Sequence, residues 1–149
     1  MKKIFIIAAL LTGPFVIAQT TKPGSHPQTK SDKLNELYCT GMFNTSDGTI
    51  LDVASDPSAV GHHNILDWMQ GRVAGFQVYS TWTGARIPLL RGGVPAIFID
   101  EIAASAAALN SLPIHDIAMV KVIKTPFYGG FNGANGAIAI YTIEEEEDK

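Results

Sequence analysis

Four groups of residues in this chain have types and spacings that invite chemistry. Gly129-Gly130-Phe131-Asn132-Gly133-Ala134-Asn135-Gly136 has the glycine density of a phosphate-cradling loop. Such a loop needs a helix N-terminus behind it and usually a lysine. Here a β-like run follows and no lysine does, so the segment reads as a tight crossing that needs small residues and positive φ. His62-His63 raises the question of a metal, but adjacent residues point apart on any regular element, and no ligand pair on one helix face completes a site. His115 beside Asp116 reads as a solvent-facing or capping residue. Asp100-Glu101 is the most tempting acid pair, yet neighbours in a strand face opposite sides and cannot act on one substrate bond. No Ser-His-Asp or Cys-His spacing offers a nucleophile with its base. The expectation is a non-enzymatic protein with no catalytic residue, no cofactor and no metal site.

Composition narrows the class further. The 149 residues carry a formal net charge of −3, and five of the fourteen acids form the tail Glu144-Glu145-Glu146-Glu147-Asp148. No basic face is left for a nucleic-acid backbone, so that partner is excluded. The tail reads as solvated charge. Cys39 is the single cysteine, so no internal disulfide can form, and its setting beside Leu37 and Tyr38 predicts burial.

The N-terminus is the clearest segment. Lys2 and Lys3 precede an apolar run from Ile4 to Leu11. Val16 and Ala18 stand three and one residues before Gln19, as signal peptidase requires. Residues 1–18 therefore read as a secretory signal peptide cleaved after Ala18. The apolar run falls short of the roughly 20 residues a spanning helix needs, so the mature chain is expected to have no transmembrane segment of its own. Residues 19–33, rich in Ser, Thr, Lys and Pro, read as a flexible leader.

The elements that must position everything else follow from pattern. Residues 34–43 and 49–53 read as strands separated by the turn cluster Asn44-Thr45-Ser46-Asp47-Gly48. Asn64 has the side chain to cap a short helix whose face is Ile65, Leu66, Trp68 and Met69, with Asp67 at its positive end. Residues 76–79 and 86–91 read as strands, the second with Pro88 inside and therefore at an edge or bulged. Residues 96–99 form a continuous apolar run, as expected of a strand covered on both faces. Residues 103–109 are alanine-rich and predict a helix, and Pro113 fits the first turn of another. Residues 117–124 and 137–142 predict the last two strands. The sum is one α+β domain over residues 34–143, a small mixed β-sheet with short helices, followed by an acidic tail at 144–149.

At this point the residues resemble a known family. Asn64-Ile65-Leu66-Asp67 with Gln70-Gly71-Arg72-Val73-Ala74-Gly75-Phe76-Gln77-Val78 is similar to the helix-to-strand segment of the plug domain of TonB-dependent outer-membrane receptors. Arg86-Ile87-Pro88-Leu89-Leu90-Arg91-Gly92 resembles that domain's arginine-glycine strand, and Ala96-Ile97-Phe98-Ile99-Asp100 its apolar strand ending in aspartate. The run from Asp116 to Lys124 resembles the strand that follows. Tyr128-Gly129 with Ala134-Asn135-Gly136-Ala137-Ile138 resembles the closing signature. The likeness is strongest over residues 64–142. Three departures stand out: a short loop of Gly93-Val94-Pro95, Glu101 where glycine commonly follows the aspartate, and no clear energy-coupling box in the leader.

The resemblance implies a plug-like fold, a periplasmic location at the outer membrane, and a transport-related role. It also implies that Arg91, and with it Arg86 and Arg72, face carboxylates on the inner wall of a β-barrel, where a bidentate contact would hold the plug in register. A large barrel needs many strands of about 9–11 residues, which these 149 residues do not hold. The expectation is a stand-alone plug that associates with and occludes an outer-membrane β-barrel transporter or translocon supplied by another polypeptide. The alternative is a periplasmic adaptor that binds other periplasmic proteins through the same fold.

Overall fold

The computed structural model describes residues 28–143. The signal peptide, most of the leader and the acidic tail lie outside the described residues.

The chain first departs from the sequence expectation at its start. Residues 34–43 are not a strand. A helix, α1, runs over Lys30–Tyr38 and a 3-10 turn follows at Gly41–Phe43. The cause is a capping box: the Thr29 hydroxyl accepts from the Asp32 backbone N–H, and the Asp32 carboxylate accepts from the Thr29 N–H at 2.8 Å. Leu34, Leu37 and Tyr38 then fall at helical spacing. The box lies among polar residues that read as leader, so α1 begins four residues before the expected domain boundary.

β1 is Thr49–Asp52. The loop expected after it is a 3-10 turn at Pro57–Gly61, capped by Asp56, whose carboxylate accepts from the Ser58 N–H at 2.8 Å. Helix α2, Ile65–Met69, is capped by Asn64 as its position predicts, with Oδ1 2.8 Å from the Leu66 N. All four apolar side chains of its face are buried.

β2 (Phe76–Ser80) and β3 (Arg86–Leu90) pair only with each other, antiparallel. A two-stranded sheet has only edge strands, which is where Pro88 is tolerated. β4 is Ala96–Ile99 and β5 is Ile102–Ala103. Asp100 and Glu101 connect them as a two-residue hairpin turn with φ of 47° and 65°. They are not neighbours within a strand, as their sequence context had suggested. Two successive positive φ values are what a primed hairpin turn requires. Helix α3 is Ala106–Ser111, capped by Ser105; it starts later than expected because Ala103 is drawn into β5. Pro113 precedes a 3-10 turn at Ile114–Asp116. β6 (Ile117–Ile123) and β7 (Ala137–Thr142) close the domain.

The main sheet has the order β1-β6-β7-β4-β5. Only the β4–β7 pair is parallel, so the sheet is mixed and the fold is α+β. β6 is buried along its whole length. A register shift between Ile117 and Met119 re-aims its side chains. Beyond it, Val120 and Val122 point to one face and Met119 and Ile123 to the other. The first face, with Ile97, Ile138 and Ile140, packs on α2, α3 and the β2–β3 hairpin through Trp68, Met69, Phe76, Leu90 and Leu109. The second face, with Ala96, Phe98, Ala137, Ala139 and Tyr141, is covered by Cys39, Phe43 and half-buried Leu34, Tyr38 and Phe127.

The glycine-rich segment is the crossing its composition suggested. Phe127 N–H donates to the Gly133 carbonyl at 2.7 Å, and a β-carbon at Gly133 would lie 1.7 Å from the Phe127 carbonyl oxygen. The next residues form a 3-10 turn at Gly133–Asn135 and enter β7.

Candidate partner-facing site

The three arginines singled out by sequence lie in different settings, and the structure does not bring them together. Arg86 opens β3 and reaches across to α2. Its Nη1 donates to Asp67 Oδ2 at 2.7 Å and its Nη2 pairs with Oδ1, a bidentate ion pair. Its backbone carbonyl is held by the Asn110 side chain at 2.7 Å. The hydrogen bond from Arg86 keeps the Asp67 carboxyl below the usual carboxylate range. A depressed carboxylate stabilises the fold above its unfolded pKa and loses that contribution as pH falls through its folded value. Asp67→Asn should therefore lower the urea midpoint at pH 7 by the equivalent of about 0.5 kcal/mol, given its exposure, and lower it by less at about pH 3, where the unfolded carboxyl is largely protonated. Urea titrations at both pH values check this.

Arg72 follows α2 and folds back on it. Nη1 donates to the Trp68 carbonyl and Nη2 to the Ser58 hydroxyl, each at 2.6 Å. The guanidinium lies over the Trp68 ring at 4.7 Å, with Asp56 at 4.0 Å. Arg72 thus staples the 3-10 turn at Pro57–Gly61 to α2.

Arg91 differs from both. It stands just past the far end of β3, five residues from Arg86, or about 17 Å along a strand. Its φ is 56°, its backbone N–H donates to the Gly75 carbonyl, and its Nη1 donates to the Lys124 carbonyl at 2.8 Å. The side chain is exposed. Among the described residues the ion pairs are Lys30–Asp52, Arg72–Asp56 and Arg86–Asp67, so Arg91 has no acid partner there. A guanidinium has five donors, and most of those of Arg91 remain available to a partner.

The contact with Lys124 puts Arg91 at the start of the crossing loop. That loop presents Tyr128 at 97% exposure and Phe131 at 95%. Both project from a backbone held by Phe127, whose ring stacks on Phe43 at 5.0 Å and meets Phe98 edge-on at 5.6 Å. Exposed aromatics on a held loop have the character of contact anchors. Sequence reasoning quoted Tyr128 but did not single out either ring. The available signal was an aromatic set among turn glycines, outside any strand or helix period.

The remaining candidates are structural. The Asp100 carboxylate accepts from the backbone N–H and the hydroxyl of Thr142, each at 2.8 Å. Glu101 accepts from the Thr40 N–H at 2.6 Å, the Thr40 hydroxyl at 2.9 Å and the Tyr141 hydroxyl at 3.3 Å. Both acids therefore tie segments of the chain together. Among the described residues no cluster of histidine, cysteine or carboxylates could hold a metal ion. No described helix is long and apolar enough to cross a membrane.

Parts of solved structures are similar to this fold. The RagAB peptide importer in its open-open state matches 70% of this chain at 26% identity with a TM-score of 0.54, over 13% of its own length. The ferric enterobactin receptor of Pseudomonas aeruginosa, in complex with enterobactin, matches 67% at 15% identity and a TM-score of 0.53, over 18% of its length. The siderophore receptor PirA of Acinetobacter baumannii matches 78% at 16% identity and a TM-score of 0.53, over 19% of its length. These neighbours are TonB-dependent receptors. The likeness is to a part of each, consistent with a plug-like fold. The chain spans less than a fifth of the proteins it matches. No protein-family model and no curated protein matches it.

Proposed function

We propose that this chain works as a plug: a compact body that associates with, and occludes, an outer-membrane β-barrel transporter or translocon carried by another polypeptide. Its action is steric and electrostatic and uses no catalytic group. The observation that carries the reading is the likeness of this chain to part of the RagAB peptide importer, at 26% identity over 70% of this chain. Arg91 supports it as an exposed guanidinium with no acid partner among the described residues, bonded to Lys124 at the start of the loop that carries the exposed Tyr128 and Phe131. In this reading Arg91 meets a carboxylate of the barrel wall, while Arg86 and Arg72 keep the surface behind it in shape.

Copurification from detergent-solubilised outer membrane tests this directly. The tagged protein is expected to recover a large β-barrel on a separate polypeptide. Recovery of soluble periplasmic proteins alone would instead support an adaptor. Arg91→Glu is expected to cut barrel recovery by roughly ten-fold, since like charges face each other across a desolvated contact. Its urea midpoint should stay near that of the parent, because the side chain is exposed. Unchanged recovery would remove Arg91 from the interface.

A further inference from the structure

The two faces of the main sheet are covered in different ways. On the face that carries α2 and α3, the cover is apolar and fully buried. On the other face the cover is residues 29–45 together with the Phe127 ring, and it is attached through both polar and apolar contacts. Helix α1 contributes no buried residue. Lys30 pairs with Asp52 on β1 at 2.7 Å, and Thr40 is held by Glu101. The apolar attachment is made by buried Cys39 and Phe43, the latter packed on the Phe98 ring at 4.9 Å and the Phe127 ring at 5.0 Å, with Leu34 and Tyr38 half-buried.

Beneath this cover lies Lys121, fully buried and the only buried charged side chain among the described residues. It sits mid-way along β6, on the same face as Met119 and Ile123. Its ammonium donates to the Asn35 side-chain oxygen, to the Phe43 carbonyl at 2.7 Å and to the Thr45 carbonyl at 2.6 Å. No carboxylate is among these partners, and all three belong to the cover. An ammonium in an apolar interior is costly unless its hydrogen bonds are made. Here they are made only while residues 29–45 are down. When the cover lifts, water takes over all three bonds and the charge regains its solvation. A leucine at the same position would lose burial and gain nothing on exposure.

We infer that residues 29–45 form a strap latched on Lys121, which lifts as a unit while the rest of the domain stays folded. Lifting uncovers Cys39, the Phe98 ring and the Tyr141 side of the sheet.

Cys39 makes it measurable, because it is the chain's single cysteine and is 1% exposed under the strap. Burial also pushes its thiol pKa up, so the closed form is unreactive. Thiol labelling of the full chain in native buffer is expected to run at least ten-fold faster than global unfolding followed by circular dichroism, with little dependence on low urea, as a local opening does. Labelling at the rate and urea dependence of global unfolding would overturn the strap. Asn35→Asp places a carboxylate on the Lys121 ammonium, and charge-assisted bonds are about twice as strong as neutral ones. It is expected to slow labelling by about five-fold or more, with a much smaller change in the global midpoint. Labelling that is unchanged, or that moves only in step with the global midpoint, would overturn Lys121 as the latch.

Discussion

Gly136→Ala is expected to lower the unfolding free energy by about 3 kcal/mol or more, enough to leave much of a marginally stable domain unfolded. Gly136 has φ 100° and ψ −168°, a region of backbone space that side-chain-bearing residues essentially do not enter. A β-carbon there would lie 2.2 Å from the Ile123 carbonyl oxygen and 3.0 Å from Leu90 Cδ2. Neither neighbour can yield easily, since one is the end of β6 and the other is buried between the hairpin and the sheet. The Gly136 carbonyl also accepts from the Ala96 N–H at 3.0 Å, just ahead of the parallel β4–β7 pairing. A shift that relieved the clash would disturb the register of the central strands. Gly61→Ala is the control: nothing lies within 4 Å of a β-carbon at that position. Urea denaturation followed by circular dichroism distinguishes the two, and equal midpoints would show that the crossing has another path.

The second large effect is at Trp68. Its side chain is 1% exposed in the larger core cluster, and removing a buried ring of this size costs about 3–5 kcal/mol. Trp68→Ala should destabilise by that amount. Trp68→Phe should cost less, because it keeps most of the apolar volume. It still loses the indole N–H bond to the Ser58 hydroxyl at 3.2 Å and the larger face beneath Arg72. Thermal and urea melts of both variants check the order. A Trp68→Ala protein with the parent's midpoint would mean that α2 is not seated on the sheet through this ring.

Both sites hold elements that carry the candidate residues. Gly136 lets the crossing loop close against β6, and Trp68 seats α2, which carries the acid partner of Arg86.

The central strands of the main sheet were legible because their signal is local and strong, whereas the two-residue β5 was not. The runs 96–99, 117–124 and 137–142 are apolar nearly throughout, as strands covered on both faces must be. The cap of α2 was legible because Asn64 and Asp67 bracket an apolar face. Helix α1 was not, because its capping box is set among residues whose composition points to a leader, and the helix only half-buries Leu34 and Tyr38. The Asp100-Glu101 turn was misplaced because neither residue is the glycine that usually declares a primed turn. Its geometry is held by bonds from Thr142, Thr40 and Tyr141, residues some 40 to 61 positions away.

The sequence by itself therefore determined the α+β class, the central strands, the helix cap at Asn64 and the need for small residues in the crossing. Each of these rests on hydrophobic pattern or on backbone sterics within a few neighbouring positions. Only the tertiary structure decided that Arg86 is paired with Asp67, that Arg72 is folded onto Trp68, that Arg91 is left without an acid partner among the described residues, and that Lys121 is buried beneath α1. Charged side chains are long and take the nearest partner that packing supplies, and that partner lies 19 residues from Arg86 and 86 from Lys121. No local pattern encodes such a distance, so which arginine is left without an acid partner among the described residues becomes visible only when the chain is folded.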